Sequence, residues 1–60
     1  MRIYTIYIRT KIATKIYLDK ITVEASTPTV AHCIAMKQVD AEYRGYKIAS
    51  CFVYKTQVIF

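Results

Sequence analysis

Apolar and polar positions divide the chain into four segments. Residues 2–9, RIYTIYIR, are β-branched or aromatic at most positions, which predicts a strand. The near-continuous apolar run predicts a central place in the sheet, because a strand covered on both faces has no reason to alternate. Residues 15–25, KIYLDKITVEA, predict a second strand with Ile21, Val23 and Ala25 inward and Lys20, Thr22 and Glu24 outward. Its alternation changes phase near Asp19, so either a bulge sits there or Asp19–Lys20 begins a turn between two short strands. The link around Arg9–Thr14 contains no Gly, Asn or Asp, which argues against a tight two-residue hairpin.

The third segment opens at ASTPTVAH. Ser26 or Thr27 can cap a helix by accepting a backbone N–H, and Pro28 suits the first turn, where its missing N–H costs nothing. Gly45 in EYRGYK fits the left-handed position that ends a helix. A helix over residues 28–43 follows. At about 100° per residue, Val30, Ile34 and Ala41 cluster on one side. Val39, Met36, Tyr43 and His32 lie roughly opposite, with Ala31 and Ala35 between. That arc is wider than a helix lying on one sheet requires. Cys33, Lys37, Asp40 and Arg44 form the wet stripe.

The last segment, residues 46–59, predicts a strand that is largely apolar on both sides of a period-two pattern. Ile48, Phe52, Tyr54 and Val58 lie on one side, and Ala49, Cys51, Val53 and Ile59 on the other. The predicted fold is therefore α+β: a single two-layer ββαβ domain over residues 1–60. A mainly antiparallel three-stranded sheet carries one helix on one face. A right-handed crossover returns the last strand beside the first.

Size makes this pattern consequential. A 60-residue fold buries only about 60% of the surface its unfolded chain exposes, so its core needs a supplement. Two cysteines, Cys33 and Cys51, allow one bridge at most, and MRIYTIYIRT lacks the zones of a signal peptide; both thiols are expected free in the cytoplasm. Two Cys and one His are too few for a four-ligand zinc site. No apolar run approaches the roughly 20 residues that cross a bilayer, so no membrane partner is expected. Self-association remains.

One helix covers one face of a sheet, so the other face keeps its aromatic and branched side chains. Such a patch marks an interface more often than bare surface. The expected contact residues are Tyr4, Phe52 and Tyr54 from the sheet and Met36, Val39 and Tyr43 from the helix. They predict a homodimer or higher oligomer that occludes or bridges a protein partner not identifiable from sequence. By analogy of class alone, short motif-free chains with sticky faces are typical of viral or mobile-element inhibitors.

Chemistry for catalysis is sparse. His32 and Cys33 are adjacent, so on a helix they diverge by about 100° and form no nucleophile–base pair. Asp40 and Glu42 diverge by about 200° and form no acid–base dyad. The single glycine excludes a glycine-rich phosphate loop. No catalytic, cofactor or metal residue is assigned, and an enzyme is not expected.

Charge supplies the rival reading. Nine Lys and Arg against four Asp and Glu give a net +5 and a pI near 9.4, and the helix holds little of that excess. Arg2, Tyr7, Arg9, Lys11, Lys15, Arg44, Lys47 and Lys55 interleave cations with aromatic rings, as stacking of unpaired bases with phosphate contacts requires. RGYKIASCF shares Arg44, Gly45, Tyr46 and Phe52 with the aromatic strand motif of RNA-recognition-motif domains. It departs at Lys47 and Ile48 and follows a helix, so membership does not follow. A third reading has an anionic nucleotide sequestered between subunits.

Overall fold

A computed structural model describes all 60 residues. Strand β1 (Arg2–Ile12) pairs antiparallel with β2 (Lys15–Ala25), helix α1 (Pro28–Glu42) follows, and β3 (Ile48–Val58) returns antiparallel to β1. The sheet order is β2-β1-β3, which gives the expected α+β, two-layer ββαβ domain with the first strand central. Each strand has 11 residues, and at about 3.3 Å per residue this accounts for the 36 Å long axis of a slab only 13 Å thick.

The core is the layer between β1, β2 and α1. Tyr4, Ile6 and Ile8 of β1 lie with Val23 and Ala25 of β2 beneath Ala31, Ala35 and Val39 of α1. Their spacing on the helix is i, i+4, i+8, one row along its axis. Ile34, Met36 and Tyr43 flank that row, half-buried, so the wide apolar arc straddles the sheet and leaves little to face outward. Val39 is 0% exposed and Tyr4 2%: two residues expected at a contact surface are core. The reason is parity. Tyr4 shares the helix-facing side of β1 with Ile6 and Ile8, and Val39 continues the alanine row.

Helix boundaries follow the local signals. Thr27, in extended conformation, accepts the Val30 N–H at 3.3 Å, and Pro28 takes the first helical position. At the other end Tyr43 caps the helix, donating its N–H to the Val39 carbonyl at 2.9 Å, and Gly45 follows at φ +93°. The helix thus stops one residue before the expected Tyr43.

Two expectations are corrected. The β1–β2 link is a tight hairpin: Ile12 pairs with Lys15 across a two-residue turn, Ala13–Thr14, with Ala13 at φ +54°. Eleven consecutive cross-strand pairs impose that turn on a residue that resists it; the left-handed region costs an L-residue roughly 1–2 kcal/mol. Nor is there a bulge or turn at Asp19, since β2 runs through it in unbroken register. Asp19 faces the helix side, where the Tyr43 hydroxyl donates to its Oδ2 at 2.9 Å, while Ile16 and Leu18 face the opposite side and stay exposed. The bulges lie in β3, where Tyr54 and Ala49 are the extra residues against β1.

Two substitutions test this fold. Ala13→Gly relieves the turn; after the entropy cost of glycine in the unfolded chain, a gain of about 0.5–1 kcal/mol is expected. Thr5 is buried on the face away from the helix, and its hydroxyl has no hydrogen-bond partner. Removing that orphan as Thr5→Val should stabilise by about 1 kcal/mol, a rise of about 4–8 °C in Tm for a domain this size. Urea and thermal melts read both. A loss of stability in Thr5→Val would show the hydroxyl to be satisfied.

Candidate functional site

The site is the sheet face that α1 does not cover. Alternation puts Ile3, Thr5, Tyr7, Arg9 and Lys11 of β1 there, with Ile16, Leu18, Lys20, Thr22 and Glu24 of β2. The β1–β3 register adds Ser50, Phe52, Lys55 and Gln57, and the bulge at Tyr54 turns that ring onto the same face, 6.0 Å from the Tyr7 ring. Phe52 is 43% exposed and Tyr54 48%.

Rows across the strands define its chemistry. One row is Leu18, Arg9 and Phe52, with the Arg9 guanidinium 5.7 Å over the Phe52 ring. The next is Lys20, Tyr7 and Lys55, with the Lys55 ammonium 5.2 Å over the Tyr7 ring and Tyr54 beside it. These cation–π contacts hold two long, flexible cations over aromatic faces. An arginine so stacked still presents its fork of N–H donors at the edge of the ring. The face thus carries four cations, Arg9, Lys11, Lys20 and Lys55, against the single acid Glu24. The other three acids, Asp19, Asp40 and Glu42, belong to the helix side.

Of the sequence-derived candidates, the fold brings Tyr7, Arg9, Lys11, Phe52, Tyr54 and Lys55 together on this face. It sets four others apart. Arg2 and Lys15 have helix-side parity at opposite ends of the β1–β2 hairpin, and Arg44 and Lys47 lie in the α1–β3 connection. Met36 is half-buried against the core, 4.0 Å from the Cys51 thiol, and Tyr43 is half-buried against Asp19. Lys20 and Leu18 belong to the face and were absent from the expected sets. The signal existed: Lys20 already reads as outward with Thr22 and Glu24, and once Asp19 is read as an inward residue Leu18 joins it on one uninterrupted strand.

Elsewhere His32 and Cys51 have separate partners. His32 Nε2 lies 2.6 Å from the Thr56 hydroxyl, whereas the Cys51 thiol lies against Thr10 Oγ1 at 3.5 Å, so no His–Cys pair forms. Both cysteines are free, and no group of three or more His, Cys, Asp or Glu could hold a metal ion. No helix is long and apolar enough to cross a membrane. No protein-family model, curated protein or solved structure matches the chain.

The Tyr43 phenol titrates late. Burial, then the hydrogen bond and negative charge of Asp19, push the Tyr43 phenol from the ordinary 10.0 up to about 12. The unfolded chain therefore releases this proton near pH 10 while the folded protein keeps it to about 12. With more protons bound when folded, stability is full below pH 10 and declines as pH rises through that window. Tyrosinate absorbance should show one late-titrating phenol, lost in Tyr43→Phe and moved toward the ordinary range in Asp19→Asn. A late phenol that survives Tyr43→Phe would reassign it.

Proposed function

We propose that the protein is a small non-catalytic binding protein whose uncovered sheet face takes single-stranded RNA or DNA. The observation that carries this reading is the pairing of three exposed or half-exposed rings, Tyr7, Phe52 and Tyr54, with four cations on one face that holds a single acid. Bases stack on such rings whatever their identity, and phosphates meet the cations at the rim. A flat sheet with no helical basic row has nothing to enter a major groove as a recognition helix, which favours unpaired strands. Two free thiols accord with action in the cytoplasm.

Binding of a labelled oligothymidylate, followed by anisotropy, tests the reading. Four phosphate contacts on a single strand correspond to a log–log salt slope of about −3. Phe52→Ala or Tyr54→Ala should each weaken binding by about 5- to 150-fold, the range of one lost base stack. Lys15→Ala, on the helix side, should leave the slope unchanged. Absence of binding at low salt, or equal losses from Lys15 and Lys55, would remove the proposal.

A second reading retains self-association and a protein partner. What favours it is β3, an edge strand of 11 residues with one charged side chain, Lys55, and unpaired backbone groups along its outer side. Two copies joined edge to edge would occlude or bridge a partner with a doubled face. Two considerations place it second. The bulges at Ala49 and Tyr54 interrupt the edge, as natural sheets do to prevent such pairing. Copies meeting face to face would oppose four cations with four. Equilibrium sedimentation at micromolar concentration separates the readings: a strictly monomeric species eliminates the second.

A further inference from the structure

A single cavity of about 240 Å³ opens at the hairpin end of the molecule, where β1, β2 and the last turn of α1 meet the loop before β3. It lies on the helix side, away from the cationic face. Its walls are Ile12, Tyr17, Glu42, Tyr43 and Tyr46. Three of five lining residues are tyrosines, and the fourth polar member is a carboxylate. We propose that this cavity binds an alkylated ammonium group, held against the rings of Tyr17, Tyr43 and Tyr46 and balanced by Glu42.

Four observations carry the proposal. The Tyr17 and Tyr43 rings stand 5.6 Å apart and tilted by 48°, a corner between two faces instead of a closed stack. The Tyr43 hydroxyl donates to Asp19, which fixes that ring and leaves its face electron-rich. Negative ring faces and nearby carboxylates attract organic cations, and a cage of aromatic rings is how quaternary ammonium groups are held. Second, α1 ends at this cavity with no basic residue in its last turn; Arg44, two residues beyond the helix, is not among the lining residues. Third, no side-chain hydrogen bond of the protein uses Glu42, and both cation–π contacts of the molecule lie on the opposite face.

Size is the fourth. Pockets for drug-sized ligands run about 300–1,000 Å³, so this cavity suits a head group of a few heavy atoms. The one charged lining residue is the Glu42 carboxylate, and Lys15, Arg44 and Lys47 at this end of the molecule lie outside the lining, so the wall itself offers an anion no cation. A plain ammonium is more strongly hydrated than an alkylated one, and ring faces repay that hydration less well than water does.

Aromatic-region NMR of the full chain, with tetramethylammonium as probe and neopentyl alcohol as a water-soluble uncharged counterpart of similar size, tests the proposal. Tetramethylammonium should shift the ring signals of Tyr17, Tyr43 and Tyr46 saturably, and bind about tenfold more tightly than the alcohol, the ratio expected of about 1.4 kcal/mol of cation–π attraction. Tyr46 is 65% exposed, so Tyr46→Ala should lower affinity about tenfold with an unchanged Tm. Glu42→Gln, which keeps the shape, should lower it without disturbing the alcohol. Choline and free trimethyllysine, titrated alike, rank a lipid or osmolyte head group against a modified side chain, and saturable binding of either supports the site. Equal affinity for the charged and uncharged probes would overturn the proposal, as would shifts centred on Tyr7 and Tyr54 or no saturation by tens of millimolar.

Discussion

How closely a helix can approach a sheet sets what the rest of this molecule can do. Ala31 and Ala35 form most of the buried row of α1, and with no side chain beyond Cβ they let the helix settle onto Tyr4, Ile6 and Ile8. Larger neighbours, Ile34 on one flank and Met36 and Tyr43 on the other, then reach down past the alanines instead of standing outward. A single rod seated this way fills one layer and no more. The odd side of β1 receives no cover from the helix.

The two sides consequently differ in chemistry as well as in cover. Cations and rings share the open face, where Arg9 and Lys55 lie over Phe52 and Tyr7. Three of the four acids belong to the other side, and two of them, Asp19 and Glu42, adjoin a cluster of tyrosines. The same residue type, tyrosine, thus serves opposite ends. Next to lysine and arginine its ring offers a stacking platform to an anionic chain. Next to carboxylates, at the negative end of a helix, its ring offers a wall for a cation. Neither arrangement needs a nucleophile–base pair or a metal.

Stability and function also meet at particular residues. Asp19 on the helix side of β2 would be a liability in a core so small, yet the Tyr43 hydroxyl satisfies it, and that bond ties the end of α1 to the hairpin. Ala13 at φ +54° and the orphan hydroxyl of Thr5 are weaknesses that the strand pairing tolerates. The pairing dominates because β1 is bonded along both sides, whereas each local defect costs only about 1–2 kcal/mol.

Helix ends were legible in the chain itself, because Thr27, Pro28 and Gly45 act through their own backbone preferences over three or four residues. So were the central place of the first strand and the excess of apolar positions over what one helix covers. Local rules failed where a partner across the sheet or at the helix end decided the outcome: Asp19 reads as a break until Tyr43 is beside it, and Ala13–Thr14 reads as a poor turn until eleven pairs close it. The candidate residues divide in the same way. Period-two counting shows which of Tyr4 and Tyr7 share a face but not which face the helix takes, so Tyr4 and Val39 read as exposed when they are core. The sequence by itself determined the elements, their order and the amount of apolar surface, since these follow from propensity and composition. Only the tertiary structure decided the parity of the sheet under the helix and the two bulges in β3. Those turn Tyr54 toward Tyr7 and gather Arg9, Lys11, Lys20 and Lys55 on one side, because long-range pairing alone fixes which side chains share a face.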